Sequence, residues 1–142
     1  MKANDFVALV LRSPLHALAG NTMLITVSGR KSGRPITTPV NYCREGDVLW
    51  VLSSRTRNWW RNIKPGSRVK LRMNARDISG IADVVQDDRA VVAQLGEYER
   101  QMPAAAGPLG LKLTDGVPDP AGAARLARER LFVGVRTEDS DT

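Results

Sequence analysis

The residues of this chain best equipped for chemistry are cations and hydroxyls grouped near glycines. Gly29-Arg30-Lys31-Ser32-Gly33-Arg34 sets three cations and one hydroxyl inside a two-glycine loop. Glycines let backbone N–H groups approach an oxyanion, and cations with a hydroxyl add charge-assisted hydrogen bonds, so the segment has the chemistry of an anion site. A second polar-basic run, Ser53-Ser54-Arg55-Thr56-Arg57, lies about twenty residues on. Trp59, Trp60 and Asn62 follow it. Neighbouring helical positions point about 100° apart, so one indole is expected in the core and the other beside a pocket, with Asn62 on the Trp59 face.

Other chemistries find little material. The chain has one cysteine and one histidine, which excludes a disulfide framework and a Cys/His zinc cluster. Cys43 reads as a small buried apolar residue on a strand, and His16 as a surface or helix-end residue in a loop-like stretch. The basic third of the sequence contains no paired carboxylates, and no complete Walker or dinucleotide-binding glycine pattern is present. Redox or transfer chemistry in this chain would belong to a bound cofactor.

Charge is distributed unevenly along the 142 residues. The net +6 arises from 21 Lys and Arg against 15 Asp and Glu. Between Arg30 and Arg76 there are 12 bases and only two acids, Glu45 and Asp47, a local balance of +10 over a remainder of −4. A block of that kind needs an anionic partner, whether a phosphorylated cofactor, nucleic acid or an acidic lipid surface. No apolar run is long enough to span a bilayer, and Phe6 to Leu11 is too short for a secretory h-region, so a reducing cytoplasm is the expected location, with peripheral membrane contact as a variant.

The elements that must position these residues follow from periodicity. Met23–Ser28, Ile36–Arg44, Val48–Ser53, Arg68–Met73, Ile78–Gln86 and Leu131–Arg136 read as six strands. Pro39 marks part of the second strand as an edge or bulge. Helices are expected from Asn4 or Asp5 to before Pro14, over one or two turns between Arg55 and Lys64, from the Asp87-Asp88 cap to Met102, and from Asp119-Pro120 to about Arg130. Pro103 to Pro118 reads as a loose connection, and residues 138–142 as a frayed tail. Closely spaced antiparallel strands with a few helices indicate one small barrel domain over 1–142. In such a meander the first and third connections share an end, which brings the two basic loops to one mouth. The alternating Arg68, Lys70 and Arg72 read instead as a solvated strand face.

At this point the run GRKSGRPITTPVNYCREGDVLWVLSSRTRNWWRNI resembles the deazaflavin (F420)-dependent nitroreductase-like family of the flavin-binding split β-barrel superfamily. The resemblance is strongest from Leu24 to Ile63. It implies a mainly β fold, a six-stranded antiparallel split β-barrel with an N-terminal helix. It also implies F420 as cofactor, a phosphorylated deazaflavin with a lactate and polyglutamate tail, with FMN as the alternative of related branches. By position, Arg30, Lys31, Ser32 and Arg34 would hold phosphate or tail carboxylates. Thr38, Pro39 and Val40 would back the ring, Ser54 and Arg55 match the Ser-Lys after the third strand, and Trp59 and Asn62 match Trp-x-x-Asn.

The expected activity is hydride transfer from reduced F420 to an electron-poor small molecule such as a quinone, enone or nitro compound. Competing classes are an FMN-dependent oxidoreductase, a non-catalytic cofactor- or lipid-binding split barrel, and a nucleic-acid binder, the last disfavoured because the cations gather at loops. No side chain is assigned as proton donor; Tyr42, Ser54 and solvent are the options. Split barrels often pair across the barrel side, so the expected partners are a small-molecule substrate and a second copy in a homodimer.

Overall fold

Alternation of apolar and polar residues along most of its strands curls this sequence around an apolar lumen. The computed structural model describes residues 22–73, 75–115 and 117–138. The expected N-terminal helix, His16 and the end of the tail beyond Glu138 lie outside the described residues. Six strands close into a barrel: β1 (Thr22–Ser28), β2 (Pro35–Glu45), β3 (Val48–Ser54), β4 (Ser67–Met73), β5 (Arg76–Val85) and β8 (Arg130–Thr137). Their order around the barrel is β1-β2-β3-β8-β5-β4, and every pairing is antiparallel.

The lumen is filled from each strand by alternate residues, including Met23, Ile25 and Val27 of β1, Leu49 and Val51 of β3, Val69, Leu71 and Met73 of β4, and Leu131, Val133 and Val135 of β8. Between these, Arg68, Lys70 and Arg72 face outward, as their alternation requires. Arg68 pairs with Glu138 and Arg72 with Asp77, both at 3.0 Å. Glu138 is also tied by its N–H to the Ser79 carbonyl at 2.8 Å. That residue is therefore held against the barrel, where the sequence suggested a frayed tail.

A second core lies outside the barrel wall. Helix α1 (Asp88–Gln101) and helix α3 (Pro120–Glu129) cover the outer faces of β3 and β8, with the single turn α2 (Ala106–Leu109) between them. Asp87 caps α1 by accepting the Ala90 N–H at 3.1 Å, and Asp119 caps α3 by accepting the Gly122 N–H at 2.8 Å. Phe132 anchors this layer, edge-on to both Trp50 and Tyr98. Cys43 is fully buried here, and burial pushes its thiol up to about 11, with the Glu97 and Glu45 charges adding to the shift. It is packing material, as its sequence context suggested. The Pro103–Pro118 connection is more ordered than its composition indicates: a short 3₁₀ turn and α2 lead into a two-residue hairpin, β6 (Leu113–Thr114) with β7 (Val117–Pro118). Asp119 organises it by also accepting the Lys112 N–H at 2.9 Å.

Candidate functional site

The barrel is split along one seam. β2 pairs with β1 over Pro35–Asn41, yet pairs with β3 only over Tyr42–Glu45. Extending the β2–β3 register would set Asn41 against Leu52, Val40 against Ser53 and Pro39 against Ser54, and none of these pairs forms. Pro39 lacks the N–H that a continued ladder would use, so the sequence itself opens this edge. The edge reading of Pro39 is correct on the β3 side, while on the β1 side the residue sits opposite Leu24 within the ladder. Thr38 points inward and is buried; Pro39, Val40, Asn41 and Ser54 are half-buried along the seam.

Two connections meet at the open end of this seam. The β1–β2 loop closes through the Gly29 N–H to the Arg34 carbonyl and the Gly33 N–H to the Gly29 carbonyl, both 2.8 Å. Ser32 Oγ accepts the Arg34 N–H at 3.1 Å. A Cβ at Gly29 would lie 3.0 Å from Ser32 Oγ and 3.2 Å from the Arg34 carbonyl oxygen, so a side chain there would push both outward by a few tenths of an ångström. Among the described residues, the N–H groups of Lys31 and Ser32 have no acceptor. Arg30, Lys31 and Arg34 are exposed.

The β3–β4 connection forms a 3₁₀ helix, Trp59–Asn62, a little over one turn and so within the one or two helical turns expected. Asn62 joins it to the first loop: its Oδ1 accepts the Arg30 N–H at 2.9 Å. The shared-end geometry argued from connection parity is thereby realised as a direct contact. Both indoles are buried, which corrects the expectation that only one would be. Trp59 Nε1 donates to Ser53 Oγ at 3.1 Å, and Trp60 Nε1 donates to the Ser54 carbonyl at 3.2 Å. The tight turn packs both rings into the barrel end as a plug, each N–H satisfied by the strand it covers. Arg61 stacks over Trp60, its guanidinium carbon 4.6 Å from the ring centroid.

Arg55 also departs from its expected role. Its Nε donates to the Arg130 carbonyl at 3.0 Å, and one terminal nitrogen donates to the Gln86 carbonyl at 2.6 Å and the Ala127 carbonyl at 2.8 Å. Asp88 lies 3.7 Å away. The guanidinium is spent on backbone carbonyls at the ends of β5, α3 and β8, which fastens the helical layer to the barrel. A lysine there would have too few fixed donors for this task.

Pairing together with position sorts the remaining charge: Arg44, Lys70 and Arg76 have no carboxylate partner among the described residues, but they lie on strands away from the two meeting connections. Arg68 and Arg72 have carboxylate partners; among the described residues Arg30, Lys31, Arg34, Arg57, Arg61 and Lys64 have none. These six all lie in the two meeting connections, neither of which contains an acid. At the far end of the second connection, Asp83 Oδ1 accepts the Gly66 N–H at 2.8 Å. Arg61 and Lys64 were absent from the expected site. The acid-free run from Arg55 to Lys64 was the signal that could have found them.

A family profile described as F420H(2)-dependent quinone reductase matches residues 13–104, which is 92 of the 142 residues. The chain belongs to the F420H2-dependent quinone reductase family. It is an F420-dependent oxidoreductase, with F420 as its cofactor. The split barrel recurs in solved structures. An F420 reductase is 20% identical with TM-score 0.51, over 86% of this chain and 91% of that one. A protein of unknown function from Agrobacterium tumefaciens is 20% identical with TM-score 0.56, over 83% of this chain and 48% of that one. A conserved hypothetical protein from Mycobacterium tuberculosis is 13% identical with TM-score 0.55, over 97% of this chain and 81% of that one. A comparison with curated proteins returned no match. Among the described residues, no helix of this reductase is long and apolar enough to cross a membrane.

Proposed function

We propose that this reductase seats the anionic tail of F420 between its two acid-free connections and the deazaflavin ring along the β2–β3 seam. The observation that carries the reading is the meeting at one barrel end, beside an unladdered strand edge, of two connections joined by the Arg30–Asn62 bond and holding six cations unpaired among the described residues. The group's chemistry fits these residues. The phosphate and carboxylates of the tail match Arg30, Lys31, Ser32 and Arg34, with Arg57, Arg61 and Lys64 in the joined connection, and the N–H groups of Lys31 and Ser32, which have no acceptor among the described residues, supply oxyanion donors. FMN, with one phosphate, would leave most of this charge unanswered.

When bound in reduced form, F420 supplies a hydride for an electron-poor acceptor. The chain's own task is to fix the ring and keep water from the seam. Thr38, Pro39 and Val40 offer a wall held from behind by β1, and the Trp59–Trp60 plug closes the lumen beneath it. Tyr42 is buried in the barrel core, which leaves the Ser54 hydroxyl or solvent to deliver a proton. Ser54 Oγ is held by the Thr56 hydroxyl at 2.9 Å. A quinone is the acceptor favoured by the family description, with enones and nitro compounds as related electron-poor substrates.

A structural relative 16% identical, with TM-score 0.50, is titled a domain-swapped dimer, and a homodimer is the assembly to test for this chain by light scattering. The cofactor assignment is tested with a panel of F420, FMN, FAD and haem followed by tryptophan quenching, since Trp59 and Trp60 flank the site. Preference for F420 supports the reading, and preference for FMN overturns it.

A further inference from the structure

The resemblance places Asn62 among the cofactor contacts, but its hydrogen bonds leave it nothing to offer an anion. An asparagine amide has two N–H donors and one carbonyl oxygen. Nδ2 donates to the Trp59 carbonyl at 3.0 Å and to the Asn58 carbonyl at 3.4 Å, and Oδ1 accepts the Arg30 N–H at 2.9 Å. Both donors are used within the 3₁₀ helix, and the one free lone pair would repel a phosphate or carboxylate oxygen.

The same bonds fit a different task. The β1–β2 loop's other backbone bonds, Gly29 to Arg34 and Gly33 to Gly29, lie within its own hairpin. The Arg30 N–H reaches outside it, to a side chain 32 residues away. Asn62 is itself fixed, because the helix that carries it is plugged into the barrel by the two buried indoles. A loop of exposed cations is thus tied to an immobile support.

We propose that Asn62 is a positioning residue, a latch that holds the Arg30–Arg34 loop in register with the Arg57–Lys64 connection so that both cation sets face one anionic tail. This rests on the reading that a tail is bound there. A loop already held in place loses less freedom on binding, so the latch acts on affinity and leaves the hydride step alone.

The test pairs amide exchange with cofactor binding in the full chain. In Asn62→Ala, the Arg30 amide is expected to exchange at least about tenfold faster while Val51 and Leu71 are unchanged, and F420 affinity is expected to fall about tenfold with kcat unaltered. In Asn62→Asp, which keeps the acceptor, Arg30 protection is retained; this arm also decides the matter if the alanine variant does not fold. Lys31→Ala is the contrasting control, weakening F420 binding without accelerating Arg30 exchange. Unchanged Arg30 exchange in folded Asn62→Ala overturns the proposal, as does faster exchange with undiminished F420 affinity. If the wild-type chain is indifferent to the tail, the tail reading fails on its own, and the exchange arm still reports on the latch.

Discussion

Asn62 Oδ1 accepts the Arg30 N–H at 2.9 Å, and this one contact joins two connections that the sequence separates by the whole of β2 and β3. Around it the positive charge of the chain becomes a local feature. On the β4 face Arg68 and Arg72 find Glu138 and Asp77, while Arg30, Lys31, Arg34, Arg57, Arg61 and Lys64 in the two joined connections have no carboxylate partner among the described residues.

Replacing Arg30 and Lys31 together by alanine removes two exposed cations that have no partner in the described fold. Thermal stability is expected to change little, because surface charges of this kind are worth well under about 1 kcal/mol. Cofactor affinity is expected to fall by about 2–3 kcal/mol, or roughly 30- to 150-fold. Calorimetric melting beside F420 titration separates the two effects; a large loss of stability would make the loop a folding element.

Arg55→Lys is expected to behave in the opposite way. Three carbonyls, those of Gln86, Ala127 and Arg130, converge on one guanidinium, and an ammonium on a flexible stem cannot serve them all at these positions. A loss of about 2 kcal/mol in denaturant unfolding is expected, with F420 affinity weakened far less than by the loop variants. Direct cofactor contact by Arg55 would reverse that ranking.

Glu99 gives a pH dependence. It is fully buried in α1, both carboxylate oxygens lack a partner among the described residues, and burial pushes its carboxyl up to about 7 from an ordinary 4.5. Between those values the folded chain binds more protons than the unfolded one, so stability falls as pH rises from about 4.5 through 7. Glu99→Gln is expected to remove this slope and exceed the wild type at pH 8 by on the order of 2–3 kcal/mol, with near parity at pH 4.5. Urea melts of both proteins at the two pH values check it; parallel pH profiles would place a charge partner beside Glu99.

Trp59→Phe keeps the ring but removes the N–H that Ser53 Oγ accepts. A loss of about 1 kcal/mol in stability is expected, together with weaker F420 binding because the plug supports the latch helix. Equal affinity in a destabilised variant would confine Trp59 to the core.

Much of this architecture was legible along the chain because it is local. The six strands follow period-two alternation, Asp87 and Asp119 announce their helices, and Pro39 marks the edge where the seam opens. What escaped depends on register and packing. The fate of both indoles turned on a 3₁₀ turn folding back onto β3, which periodicity cannot foresee. Arg55 reads as an anion ligand from the Ser53–Arg57 cluster and the Ser-Lys resemblance, but its partners Gln86, Ala127 and Arg130 lie 31 to 75 residues away. The extent of the seam is likewise a matter of β2–β3 register: Tyr42 is paired and Asn41 is not, though nothing between them in sequence marks the change. The six-cation mouth emerges only once the fold shows which cations share the two joined connections, because Arg44, Lys70 and Arg76 also have no carboxylate partner among the described residues but lie elsewhere.

The central claim is that the unpaired cations hold the cofactor's tail. The most direct measurement compares the binding of F420 with that of its ring fragment lacking the phosphate, lactate and glutamates, across a salt series. F420 should bind at least about 100-fold more tightly at low salt, with the advantage shrinking steeply as ionic strength rises. Equal affinity for the two, or an advantage indifferent to salt, would contradict the account.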